Sequence, residues 1–332
     1  MNAFDTSSLY LAATRADLPR GRGLLDASQL QVVLARTPAA VLLEVGYEQL
    51  EQFHVAHIPG ACYLDTGELE LAPLFNKIDD DALLALLLHC GTTVLLYGRS
   101  TLAAARAAHL LMYAGVHDVR LLDGGFATWQ AAGLPCDAGP ARPFTAVTEF
   151  GARFPCCPQL ISTVEHARSH RGALVSVRTW SEFSGASSGY SYIAACGDIA
   201  GARWGRAGRE GDVNSMSEYQ HADGRMLPAS AIERMWEGEG IIRGRPAIFY
   251  CGTGWRASLA FFYAYLMGWD DIRLYDGGWF EWSQDSANPI VVRSGTAVAA
   301  RLQPDCCKSI AGRLQPDRRP IAVDCSPTVA RM

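Results

Sequence analysis

Cys251-Gly252-Thr253-Gly254-Trp255-Arg256 follows the apolar run Ala247–Tyr250 and leads into a second apolar run from Ala257. A strand, a short glycine-bearing loop and a helix in that order put the cysteine at the carboxyl edge of a sheet, where open α/β sheets hold their ligands. Gly252 and Gly254 let successive backbone N–H groups turn inward around the sulfur, and the start of the following helix adds partial positive charge. Both effects favour the thiolate, the form that attacks a sulfur donor, and the same nest suits a persulfide anion. Gly252, Thr253 and Gly254 supply the loop donors, with the Thr253 hydroxyl as a further one, and Trp255 is expected either as an apolar lip over the cleft or in core packing. Arg256 offers a fork of donors to an oxyanion. Cys62, Cys90, Cys136, Cys156, Cys157 and Cys196 lack such a setting and read as packing thiols.

Other chemistries fit this loop less well. A cysteine phosphatase needs Cys-x5-Arg to wrap a tetrahedral phosphate, and the sixth position after Cys251 is Ala257. Gly252-Thr-Gly254-Trp-Arg-Ala257 matches a dinucleotide fingerprint, but that fingerprint belongs to the first strand of its domain and here Ala173–Val177 comes earlier. Cys156, Cys157, His166 and His170 form an awkward set for zinc, because adjacent cysteines chelate poorly, so no metal is expected. A module that only receives sulfur is the non-enzymatic alternative.

The elements that carry the loop occur twice. Val94-Leu-Leu-Tyr-Gly98-Arg-Ser-Thr parallels Ile248-Phe-Tyr-Cys251-Gly-Thr-Gly-Trp, and Gly98 and Cys251, Asp123 and Asp276, and Trp129 and Trp282 are all 153 positions apart. Upstream, Val41–Val45 and Ala173–Val177 read as strands, followed by the small-residue turns His57-Ile-Pro-Gly-Ala61 and Asp198-Ile-Ala-Gly-Ala202. Short apolar runs alternating with helical patterns predict an α/β fold: two domains, each a mostly parallel sheet flanked by helices. The expected division is a domain over 20–138 without a catalytic cysteine, a proline-bearing linker over 139–158, a catalytic domain over 159–293 and an unfolded tail over 294–332.

Bulk properties agree. At 332 residues the chain suits two cores better than one. A net charge of -5 argues against a nucleic-acid partner held through phosphates. The first residues lack the charged-then-apolar order of a signal peptide, and the longest apolar stretch, Ala82–Leu96, is broken by His89, Gly91 and two threonines, so no membrane association is expected. The ten cysteines then read as reduced thiols in a cytoplasmic protein.

Over about residues 20 to 292 the chain resembles the tandem-domain rhodanese and mercaptopyruvate sulfurtransferase family. The resemblance rests on Cys251-Gly-Thr-Gly254, the paired Asp-Gly-Gly-(x)3-Trp segments and His57-Ile-Pro-Gly-Ala61. It implies two rhodanese-like domains and a cycle in which Cys251 takes sulfane sulfur from thiosulfate and passes it to cyanide, a small thiol or a thioredoxin-like protein. The covalent persulfide then stands in for a cofactor. 3-Mercaptopyruvate is the alternative donor, for which family members use a hydroxyl–His–Asp relay: Thr253 and Asp65 match the hydroxyl and the acid, and Asn76 stands nearest the histidine. Arg178 matches an arginine after the first strand of the second repeat and is expected in a structural ion pair. Glu182 occupies a place where vertebrate-type members carry a cation. Asp276 and His57 are expected to order turns.

Overall fold

The computed structural model describes residues 15–70, 89–140 and 149–293. The expected tail, Asn76 and part of the expected linker lie outside the described residues. Within them the repeat is explicit. The first sheet comprises β1 (Leu24–Leu25), β2 (Val41–Gly46), β3 (Cys62–Asp65), β4 (Thr93–Tyr97) and β5 (Asp118–Leu122), in the order β1-β5-β4-β2-β3. The second half adds β6 (Ile161–Ser162), β7 (Ala173–Ser176), β8 (Asp198–Ile199), β9 (Arg203–Trp204), β10 (Ala247–Tyr250), β11 (Ile272–Tyr275) and β12 (Ile290–Val291). Its main sheet runs β6-β11-β10-β7-β9, the same order strand for strand, and every pairing in both main sheets is parallel. β8 and β12 form a small antiparallel ribbon that brings the end of the second half back onto it.

β4 and β10 are the central strands of their sheets. All four residues of β10 are buried, as are four of the five in β4, which is the continuous apolar pattern of a strand covered on both faces. Each strand feeds a loop and then a long helix, Thr101–Ala114 or Trp255–Leu266. Ser100 caps the first by accepting from Leu102 N, and Gly115 ends it in a left-handed conformation. These two helices pack against each other across the junction of the halves. Ala103, Ala104, Ala107 and Ala108 let the backbones approach, and Phe261 and Phe262 fill the opposing surface, so one apolar cluster runs through both halves. Burying each phenylalanine contributes about 1.5–3 kcal/mol. His109 also lies in this junction, edge-on to Phe261. Burial, reinforced by Arg106, pushes its imidazole down to about 3, so it stays neutral.

The segment expected as linker is partly anchored. Phe150 is buried and its carbonyl accepts from Cys90 N, while Cys156 N and Cys157 N donate to Ala114 and Tyr113 at the end of the first long helix. At the other end, Arg15 donates to the carbonyls of Met226 and Leu227, and Arg20 N donates to Leu266 O, tying the start of the described chain to the second half.

Candidate active site

Cys251 is the residue after β10, at the carboxyl edge of the second sheet, and is 1% exposed. Its carbonyl accepts from Trp279 N at 2.8 Å and that of Gly252 accepts from Phe280 N at 3.0 Å, both from the first turn of the Gly278–Trp282 helix. This contact explains the doubled Asp-Gly-Gly. Gly278 has φ +52°, and a Cβ there would lie 2.7 Å from the Cys251 and Gly252 oxygens; in the first half a Cβ on Gly125 would lie 2.3 Å from Gly98 O. A side chain at either position would push the helix off the loop.

Gly252, Thr253 and Gly254 form the turn that the sequence predicts, and Gly254 enters the helix in a left-handed conformation with φ +95°. Gly252 N donates to the Tyr190 hydroxyl at 3.2 Å. Thr253 is buried, against the Tyr192 hydroxyl. Trp255 is half-buried: its ring meets Tyr47 edge-on at 6.5 Å and its indole N–H donates to Glu70 at 3.1 Å.

Arg256 corrects one expectation. It is not an open oxyanion clamp, because its guanidinium is buried and bound in parallel to both Glu182 oxygens at 2.8 Å, with Tyr190 as a further acceptor. Glu182, which the resemblance marks as a departure, is therefore its counter-ion. Burial alone would raise the Glu182 carboxyl, but Arg256 and then Arg178 prevail and hold it at about 2. Glu182 also closes a capping box with Thr179 at the start of the Trp180–Ser184 helix. Arg178 makes the structural ion pair expected of it, with Asp198 at 2.9 Å, and donates to Gly197 O at 2.8 Å. Asp198 in turn receives the Tyr250 and Ser176 hydroxyls, so Arg178 and Asp198 sit in a connected polar network at the floor of the site.

Two further residues depart from expectation. The Asp65 carboxylate accepts from Glu48 N at 2.8 Å, Gly67 N at 2.9 Å and the Tyr63 hydroxyl at 3.1 Å, so it orders its own turn and none of its bonds reaches Thr253. Asp276 does more than fix a turn: it is buried and receives Arg106 Nη1 at 2.6 Å. His57 does order its turn, through the Phe53 carbonyl at 2.9 Å and a stack on the Phe53 ring.

Sequence reasoning missed Tyr190, Tyr192, Glu70 and Arg106. Gly189-Tyr-Ser-Tyr192 carries no motif, and Glu70 is an ordinary acid in a loop. Arg106 left a signal, because it interrupts Ala103-Ala-Ala-Arg-Ala-Ala108, where the repeat has Leu259. Among the described residues no three His, Cys, Asp or Glu side chains cluster in a way that could hold a metal ion, and no helix is long and apolar enough to cross a membrane.

Like α/β halves that share a single cysteine loop define a duplicated rhodanese-type protein. The rhodanese-like domain pattern matches residues 24–132 and again 161–285. The chain is 48% identical over 257 residues to the thiosulfate sulfurtransferase YnjE of Escherichia coli (strain K12), a match that spans 75% of this chain and 59% of that protein. The crystal structure of YnjE aligns with a TM-score of 0.80 at 44% identity, covering 84% of this chain and 70% of the other. A probable 3-mercaptopyruvate sulfurtransferase of Pseudomonas aeruginosa is 32% identical over 293 residues, 80% of this chain and 97% of that one. A structure of EanB with its cysteine as a persulfide, in a tetrahedral intermediate state with ergothioneine, aligns with a TM-score of 0.80 at 33% identity over 84% of this chain and 72% of that chain. The chain belongs to the tandem-domain rhodanese and mercaptopyruvate sulfurtransferase family, a family of rhodanese-type transferases.

Proposed function

We propose that the chain is a sulfurtransferase that moves the sulfane sulfur of thiosulfate to cyanide or a thiol through a persulfide on Cys251. The thiolate attacks the outer sulfur of thiosulfate, the S–S bond breaks and sulfite leaves with the bonding pair. Cyanide or an acceptor thiolate then attacks the outer sulfur of the persulfide and the Cys251 thiolate is restored. Each half-reaction moves one sulfur by attack of an electron pair, so the chemistry calls for no cofactor beyond the cysteine.

The observation that carries this reading is the setting of Cys251 at the carboxyl edge of β10, in a loop held by the Gly278–Trp282 turn and followed by a helix N-terminus. Names given to similar proteins support it, thiosulfate sulfurtransferase for the E. coli relative and a persulfide for EanB. Arg106, Arg178 and Arg256 are all in buried ion pairs, so the sulfonate end of the donor falls to the loop N–H groups and the start of the Trp255–Leu266 helix. Thiosulfate is favoured over 3-mercaptopyruvate because sulfite departs as an anion and needs no proton, whereas Asp65 is committed to its own turn. A thioredoxin-like protein thiol in the cytoplasm fits the same acceptor chemistry.

The test is a rate comparison of the wild type and Cys251→Ser with thiosulfate and with 3-mercaptopyruvate, cyanide being the acceptor. Thiosulfate turnover should exceed that with 3-mercaptopyruvate, and the serine variant should lose at least about 1000-fold with both. Full activity of the variant with either donor would falsify the reading.

A further inference from the structure

The first half has no cysteine in its own loop, yet one of its side chains runs to the loop of the other half. Arg106 lies within the Thr101–Ala114 helix and is 0% exposed. Its Nε donates to Glu70 Oε1 and its Nη1 to Asp276 Oδ1, both at 2.6 Å. Glu70 in turn accepts the Trp255 indole N–H through its other oxygen, at 3.1 Å. Asp276 opens the turn that leads through Gly277 and Gly278 to Trp279 and Phe280, which hold the carbonyls of Cys251 and Gly252. One guanidinium thus braces both ends of the cysteine loop, the Trp255 end through Glu70 and the Cys251 end through Asp276. The middle of the loop also lies against it, for a Cβ on Gly254 would stand 3.1 Å from Arg106 Nη1 and 3.3 Å from Asp276 Oδ1.

We propose that Arg106 is the positioning residue of the active site, supplied across the junction by the half without a nucleophile, and that it fixes the loop geometry in which Cys251 meets its donor. The inference rests on the sulfur-transfer reading of Cys251. Its physical basis is the fork: Arg106 spans two carboxylates on different elements at fixed angles, which the single ammonium of a lysine cannot reproduce. Without it, half-buried Glu70 and buried Asp276 are left with no cation between them, and they must separate or take up a proton. Either response shifts the loop, and a displacement of about 1 Å from attack geometry costs on the order of 100-fold in rate. Burial already pushes both carboxyls above their ordinary range and Arg106 opposes it, so removing Arg106 raises their proton affinity further.

The experiment uses the full chain in the thiosulfate–cyanide assay, with thermal melting and mass measurement of the persulfide as parallel readouts. Arg106→Met should lower kcat about 100-fold with KM for thiosulfate within about threefold, and should move the acid limb of the kcat profile to higher pH. Arg106→Lys should fall between the two. The double variant Arg106→Met/Asp276→Asn removes one of the stranded charges; it should recover most of the melting temperature but not kcat, and it carries the test should Arg106→Met fail to fold. Recovery of kcat along with stability in the double variant, or an unchanged kcat in a folded Arg106→Met, overturns the proposal. Cys251→Ser separates the two levels: if it stays active, the sulfur-transfer reading fails; if it is dead while a folded Arg106→Met is fully active, only the role of Arg106 fails.

Discussion

Cys251 and Gly98 end equivalent central strands, and their loops have been finished in opposite ways. Around Cys251 the chain keeps a glycine turn roofed by Tyr190, Tyr192 and Trp255 and floored by buried ion pairs. At Gly98 a Cβ would lie 2.6 Å from both Val45 O and Ser100 O, so backbone fills the space that a nucleophile would need. Arg99 turns away, pairing with Glu44 at 2.9 Å and donating to the Gln52 and Ala56 carbonyls. A segment of the second half then covers this loop: Met226 N donates to Asp123 at 2.8 Å, and Gln220 donates to Thr101 and Tyr263, both at 3.0 Å. The remaining cavity, lined by Gly98, Thr101, Asp123 and Leu259, is about 10 Å³, room for one water at most.

The two halves still treat each other reciprocally. Each Asp-Gly-Gly aspartate receives a donor from the other half, Asp276 from Arg106 and Asp123 from Met226. The junction helices carry the asymmetry at matched positions, Arg106 facing the loop with the cysteine and Leu259 the sealed one. Duplication supplied two scaffolds, and divergence made one of them the support of the other.

The largest effect on this comparison should come from the buried acids. Glu182 is held at about 2 by its ion pairs, whereas burial outweighs Arg99 at Glu44 and leaves that carboxyl raised. A depressed carboxyl stabilises the fold above its unfolded value, and that stability is lost as pH falls toward 2. A raised one acts oppositely, adding stability as pH falls through its folded value toward the unfolded one. Glu182→Gln should therefore cost about 3–5 kcal/mol at neutral pH, because it strands Arg256 without a counter-ion, and it should weaken the loss of stability in acid. Glu44→Gln should cost about 1 kcal/mol or less, because half-exposed Arg99 can be solvated. Chemical denaturation of both variants at pH 7 and pH 4 checks the contrast, and equal costs would break it.

Next in size is Gly98→Cys. If the halves differed only by one lost side chain, restoring it would create a second nucleophile. The close carbonyls predict instead a loss of about 1–3 kcal/mol from overpacking and no second site. Thiosulfate should still load one sulfur per chain, as read by intact mass, and two would show that the sealed loop retains chemistry.

Much of this contrast is written in the sequence, for physical reasons that differ by feature. The 153-residue offset carries the architecture, because strand, glycine turn and Asp-Gly-Gly are local patterns that survive duplication together. The setting of Cys251 is legible because strand, loop and helix N-terminus are contiguous. Arg256 is not, since its partner Glu182 lies 74 positions away and only folding reveals that the fork is already occupied. Glu70 and Arg106 reach the loop from the other half, so no spacing within the repeat that carries Cys251 could announce them.

The smallest effect should come from the cover over the sealed loop. Burial pushes the Asp123 carboxyl up to about 6, against the pull of Met226 N and Arg15. The native state therefore binds this proton more tightly than the unfolded chain, and Asp123 should add stability as pH falls from about 6 toward its unfolded value near 4. Asp123→Asn removes that slope while leaving an oxygen to accept from Met226 N. Melting temperatures of wild type and variant should differ in their trend across pH 4 to 6, with little change in sulfur transfer at pH 8, because the donor on Asp276 is untouched. If Asp123→Asn instead lowered transfer as far as the loss of Arg106 does, the two junction contacts would be equivalent, and the asymmetry drawn between the halves would be wrong.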